Sequence, residues 1–158
     1  MKIGITGHQD RRDLRWAWVA KAIRTELAPL KVGTQALSVL AAGADQVFAE
    51  VALDLGIPLT AIVPFDGYER FFEEPALVNY RRLLDQSEVV QLHWEGDPEE
   101  GFLEAGKYIV DACDLLFAVW DGETAEGRGG TGDVVAYAQR KRRPIIHMNP
   151  RLEAIARI

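Results

Sequence analysis

The chain has 158 residues, 48% hydrophobic and 27% charged, long enough to bury about 70% of its extended surface without disulfide or metal staples. A formal net charge of −6 and a pI near 5.1 argue against general nucleic-acid binding and leave room for one local cationic pocket. The single cysteine, Cys113, excludes an internal disulfide. No signal peptide is visible, and the longest charge-free apolar stretch, 32–44, is too short for a membrane span, so a cytoplasmic location is expected.

In chain order, "KIGITG" (2–7) reads as a first strand, apolar on both parities and so buried on both faces. A helix follows, with Asp13 as N-cap and Trp16, Val19, Ala20, Ile23 and Leu27 on its buried face. Trp18 lies off that stripe. "ALSVLAAG" (36–43) is the second strand, and the helix after it ends at Gly56. "PLTAIVPF" (58–65) is the third. The connection 66–79 carries Tyr68, Phe71 and Phe72 and leads into a helix near 80–86. "EVVQLHW" (88–94) is strand four, a helix spans about 99–113, and 115–122 is strand five. After a glycine-rich loop comes a further helix, then strand six at 144–150. Alternation of this kind predicts a single α/β domain over 1–158, with a largely parallel sheet of about six strands and helices on both faces. Ligands of such sheets bind outside the carboxyl ends of the strands, at the topological switch point.

Three loops at those ends draw attention. "TGHQD" offers Gly7 for close backbone approach, with His8 and Gln9 as hydrogen-bonding groups. "AAGADQ" places Gly43 and Ala44 at a helix start, with Asp45 in the first turn. Asp45 would accept ribose hydroxyls or simply complement the helix dipole, an effect of about 0.3–1 kcal/mol. The third loop holds Gly127, Gly129, Gly130 and Gly132 around Thr131, which suits an anion at a helix N-terminus. Its literal GxGxxG follows the fifth strand instead of the first, and no acidic residue lies at the end of a following strand about twenty positions on, so a dehydrogenase fingerprint is not expected. No Gly-Lys-Ser/Thr follows, which excludes a Walker A loop. His8, His93 and His147 lack metal-ligand spacing, so neither a metal nor a resident cofactor is expected. Asp121, at the end of strand five, is positioned to face a ribose or a leaving group. Arg81 and Arg82 are either solvated or available to a phosphate. The aromatics of 66–79 serve either to stack on a base or to close the core or an interface.

Taken together, "GITGHQD", "VLAAGADQVFAEVALDLGIPLTAIVPF" and "YIVDACDLLFAVWDGETAEGRGGTGDVVAYAQ" resemble the SLOG superfamily, Rossmann-like domains that include relatives of the DNA-processing protein DprA, TRPM sensor domains and LOG-type phosphoribohydrolases. The resemblance implies a nucleotide or nucleotide-derived ligand at the carboxyl ends of the strands, either sensed or cleaved at its N-glycosidic bond. It also implies a homo-oligomer. The hydrolases of the superfamily carry PGGxGTxxE with a catalytic glutamate. Here Gly129, Gly130 and Gly132 match, whereas Asp133 stands at the threonine position and Ala136 at the glutamate position. Alanine supplies no acid or base, so binding is preferred over hydrolysis, with Asp121 and Asp133 as the only replacement carboxylates considered. The expected ligand-binding set is Gly7, His8, Gln9, Gly43, Ala44, Asp45, Asp121, Gly129, Gly130, Thr131, Gly132 and Asp133. A non-catalytic structural subunit is the remaining alternative, and no membrane partner is expected.

Overall fold

The computed structural model describes residues 1–124 and 130–158. Its strands are β1 (Lys2–Gly7), β2 (Gln35–Ser38), β3 (Leu59–Val63), β4 (Glu88–Gln91), β5 (Leu115–Val119), β6 (Ile145–Asn149) and β7 (Ala154–Arg157). They form one sheet in the order β4-β3-β2-β1-β5-β6-β7, parallel throughout except for β7, which runs antiparallel to β6. The helices are α1 (Trp16–Leu27), α2 (Ala44–Asp54), α3 (Ala76–Asp85), α4 (Pro98–Ala112) and α5 (Thr131–Arg140). This is the α/β, Rossmann-like architecture expected, with a seventh strand added.

Two apolar layers sandwich the sheet. Ile3 and Ile5 of β1 point into a cluster with Val19, Ile23 and Leu27 of α1, Phe48 of α2 and Leu83 of α3. The opposite layer joins Leu116 and Ala118 of β5 to Ile109 of α4 and Val134 of α5. The strands are hydrophobic on both parities because helices cover both faces. Gly4 is bare where α4 crosses β1: a Cβ there would lie 2.3 Å from Ile109 Cγ2. Cys113 is 1% exposed, and burial pushes its thiol up to about 11, so it is a packed, inert side chain.

Several boundaries differ from expectation. β2 stops at Ser38, because the Ser38 hydroxyl accepts the Leu40 N–H at 3.0 Å and Leu40 turns to φ +60°, so 39–43 form a loop. α1 begins at Trp16 with no side-chain cap; Asp13 is occupied by Arg11 and Arg151 instead. Ala22, not Ala20, completes its buried stripe, and both Trp16 and Trp18 pack partly against the core. β7 has an apolar run of only three residues, Ala154 to Ala156, and its four residues are all exposed, which is why it is not legible as a strand in the sequence.

The order β2-β1-β5 puts the switch point between β1 and β5, since the chain leaves β1 toward one edge and returns at β5 to build the other. The loops after β1 and β5 therefore diverge from a common crevice.

Candidate functional site

The loop after β1 is held from three sides by one residue. The His8 N–H donates to Val119 O (3.0 Å), its carbonyl accepts the Ala44 N–H at the start of α2 (3.1 Å), and its Nε2 accepts the Asp121 N–H (3.0 Å). All three loops thus meet at one sheet edge. As an acceptor at Nε2 the imidazole is neutral, with its proton on Nδ1. Burial lowers its pKa, only partly offset by the Asp121 charge.

Two glycines make this meeting sterically feasible. A Cβ on Gly7 would lie 2.4 Å from Ala44 Cβ, and one on Gly43 would lie 2.6 Å from His8 O. Gly43 also has φ +95° with ψ −127°, a region open essentially to glycine alone. Both therefore serve close loop packing.

Asp121 has a side chain 3% exposed and fully engaged. Its Oδ2 accepts Arg11 Nη1 (3.4 Å) and Arg151 Nε (3.2 Å), and its Oδ1 accepts the Glu123 N–H (3.0 Å). Burial opposes ionisation, but the Glu123 N–H and the Arg151 guanidinium outweigh it and hold its pKa below the usual carboxylate range. Asp13 bridges the same two arginines, at 2.8 and 2.9 Å. This four-residue network ties the loop after β1 to the β6–β7 turn.

Asp45 lies in the first turn of α2 and is 6% exposed. The Ser38 hydroxyl donates to its backbone carbonyl (3.3 Å), and burial raises the pKa of its carboxyl to about 7 against the opposing pull of the Ala41 and Val39 backbone and of Ser38.

Gly130, in extended conformation, caps α5, and Thr131 and Gly132 form its half-buried first turn. Gly127 and Gly129 fall outside the described residues. Asp133 and Ala136 line a separate depression beside Trp94, Lys107 and Arg140, away from Asp121.

A cavity of 820 Å³ opens at this edge, bordered by Thr6, Gln9, Arg12, Asp45, Phe71 and Gly130. A neighbouring 770 Å³ depression shares Asp10, Ala42 and Pro75 with it. Among the described residues Arg12 makes no ion pair and no side-chain hydrogen bond, and no sequence signal singled it out. Asp10, Glu73, Glu74 and Glu99 border the same cavity. The aromatic segment mostly closes the core: Tyr68 is 4% exposed and meets Phe65, Phe72 and Tyr80 edge-on, while Phe71, 48% exposed, borders the cavity. Arg81 and Arg82 are paired with Glu69 and Glu50, each at 3.0 Å. Among the described residues no helix is long and apolar enough to cross a membrane, and no group of three or more His, Cys, Asp or Glu is arranged to hold a metal ion.

No protein-family model matches the chain, and no curated protein matches its sequence. Solved structures do. DNA processing protein A from Streptococcus pneumoniae superposes with TM-score 0.69 at 19% identity, over 94% of this chain and 50% of that one. The Helicobacter pylori protein, described by its single-stranded DNA binding mode, gives 0.68 at 18% over 98% and 68%. The molybdenum-cofactor carrier protein from Chlamydomonas reinhardtii gives 0.55 at 15% over 92% and 74%. This chain therefore spans half the length of the first of these proteins.

One expectation is overturned. Net charge argues against general nucleic-acid binding, yet the H. pylori protein of similar fold is described by its single-stranded DNA binding mode. Net charge averages over the whole surface, whereas phosphate contacts are local. Here Arg11, Arg12 and Arg151 gather at one sheet edge of a chain whose total is −6. At these identities the likeness is one of architecture: the chain has a Rossmann-like α/β fold similar to that of DNA processing protein A and the molybdenum-cofactor carrier protein.

Proposed function

We propose that the chain binds a compact phosphorylated heteroaromatic ligand, a nucleotide or nucleotide-derived molecule, at the carboxyl edge of its sheet. The observation that carries this reading is the 820 Å³ cavity at the switch point, with the uncommitted Arg12 guanidinium and the α5 N-terminus on its border. A phosphate is served by Arg12 and the N–H groups of the Gly130–Gly132 turn. The carboxylates on the cavity border, Asp10, Glu73, Glu74 and Glu99, favour hydrogen-bond donors on the ligand, such as amino or ribose hydroxyl groups. The exposed Phe71 ring offers a stacking surface.

Binding is preferred to N-glycosidic hydrolysis on chemical grounds. Asp121 is 3% exposed and held by two arginines, and Ala136 has no acid–base group. A sensor or carrier role is consistent with this arrangement, as is a cytoplasmic protein acting on a soluble small molecule.

The test is calorimetry and thermal shift with nucleoside mono-, di- and triphosphates, a phosphorylated pterin and a short single-stranded oligonucleotide. A small phosphorylated ligand should raise the melting temperature of the wild type. Arg12→Ala should weaken its binding roughly ten- to a hundredfold, the equivalent of about 1.5–3 kcal/mol for a charged hydrogen bond. Binding confined to the oligonucleotide would replace this reading with a nucleic-acid one. No binding by any probe would leave the structural-subunit alternative, and released free base would establish the hydrolase.

A further inference from the structure

On the phosphate-ester reading of the 820 Å³ cavity, we infer that the ligand reaches beyond that cavity. Its far end is a flat apolar ring lying in the groove between α2 and α3 beside Trp16. An uncharged or cationic segment bearing hydroxyl or amino groups joins that ring to the phosphorylated part.

Helices α2 and α3 both begin at the carboxyl edge of the sheet. Gly43, Gln46, Val47 and Glu50 at one helix, and Pro75, Val78, Asn79 and Arg82 at the other, repeat at helical spacing and wall the 770 Å³ depression. Its upper rim is shared: Asp10, Ala42, Glu74, Pro75 and Ala76 border both this groove and the 820 Å³ cavity. Arg12 and Gly130 border only the cavity, whereas Val47, Glu50 and Arg82 border only the groove. A continuous path therefore runs from Arg12 and the α5 N-terminus, past the strand ends, to the α2–α3 groove.

The chemistry changes along that path. In the groove the polar side chains are spent on one another. Gln46 donates to Leu40 O (3.2 Å) and Ala76 O (3.0 Å) and accepts from Asn79 Nδ2 (3.0 Å). Glu50 accepts from Asn79 Nδ2 (2.9 Å) and Arg82 Nη2 (3.0 Å), so the one cation of the groove is neutralised and holds no phosphate. These bonds also fix α2 against α3, which leaves the groove preformed. The surface still open is apolar: Trp16, Val47, Ala76 and Val78, the last 57% exposed. The indole is anchored by its Nε1–H on Arg11 O at 2.8 Å. An anchored aromatic beside branched aliphatic walls receives a flat ring. At the shared rim the carboxylates of Asp10 and Glu74 repel a phosphate and accept from hydroxyl or amino groups. The phosphate is thereby confined to the Arg12 end.

Flavin mononucleotide has this order of groups (phosphate, hydroxylated chain, flat ring system) and serves as the probe. Adenosine monophosphate is the shorter control, and riboflavin lacks the phosphate. By calorimetry flavin mononucleotide should bind at least about tenfold more tightly than either. Arg12→Ala should weaken both phosphorylated probes. Val78→Glu, at an exposed position, should weaken flavin mononucleotide about tenfold and leave adenosine monophosphate unchanged. Trp16 is the only tryptophan bordering either cavity, so bound flavin emission should be quenched in the wild type and recover in Trp16→Phe. Flavin mononucleotide no tighter than adenosine monophosphate, Val78→Glu acting on both probes or neither, or unquenched bound flavin overturns the inference and leaves the phosphate site standing. Riboflavin as tight as flavin mononucleotide severs the groove from the phosphate and overturns it as well. Failure of both phosphorylated probes to bind, or binding indifferent to Arg12→Ala, overturns the phosphate site and the inference together.

Discussion

Replacing Gly43 with alanine tests whether the junction of the three loops depends on the absence of one methyl group. The added Cβ would lie 2.6 Å from Gln9 C and His8 O and 2.7 Å from Asp10 N. All three are backbone atoms, so no flexible side chain can move aside. The φ/ψ pair of +95° and −127° adds strain of about 1–3 kcal/mol for a residue with a Cβ. Relief requires the loop after β1 to retreat, which breaks the Ala44 N–H to His8 carbonyl bond, a further loss of about 1 kcal/mol. Together these predict a destabilisation of about 2–4 kcal/mol, or roughly 10 °C in melting temperature for a chain of this size. Gly33→Ala is the control: its φ is +71°, yet a Cβ there meets nothing within 4 Å. It should cost only about 1 kcal/mol. Thermal denaturation followed by circular dichroism measures both variants. Equal losses would show that backbone conformation alone governs Gly43 and would refute the close-packing argument.

Three further outcomes are expected. Asp45 has its carboxyl pKa raised from 3.8 to about 7, so the folded state holds a proton that the unfolded chain releases above pH 4; stability falls as pH rises from about 4 to 7 and is flat beyond. Asp45→Asn should remove that slope, seen in melting temperatures across a pH series. His8 has the opposite sign: its pKa lies below 6.5, so the unfolded chain takes up a proton first and stability declines as the solution is acidified below 6.5. His8→Gln should flatten this decline, and the His8 imidazole resonances of the wild type should titrate below the usual histidine range. Asp121→Asn leaves Arg11 and Arg151 without their shared anion and should cost about 2–3 kcal/mol in denaturant unfolding, the lower end for a broken buried pair because both guanidiniums are partly solvated. A stability change near zero would refute that structural role.

The sheet was legible because its central strands are apolar on both parities, a pattern that only helices on both faces can satisfy. Loops ending in glycine and followed by helix starts marked the carboxyl edge correctly for β1 and β2. What stayed hidden depended on strand order. Arg151 and Asp13 are 138 positions apart, and only the placement of β6 beside β5 and of β5 beside β1 brings them together. Arg12 looked like one charge in a polar run, and its exposure to the cavity follows from the path of the 8–15 loop. Asp45 read as a ligand residue or a dipole complement because burial of a helix-start acid is not encoded in its neighbours. β7 was missed for a related reason: a strand exposed along its whole length has no apolar period to announce it.

The three-way contact of His8 also bears on the thermodynamics of recognition. A wall pinned through backbone N–H, carbonyl and imidazole to three separate elements is preorganised where it borders the cavity. A ligand seated against it pays little ordering entropy on that side. Affinity differences among related ligands should then follow the contacts each one completes, and loosening the joint should appear first as slower association and a larger entropic penalty, before any contact to the ligand is lost.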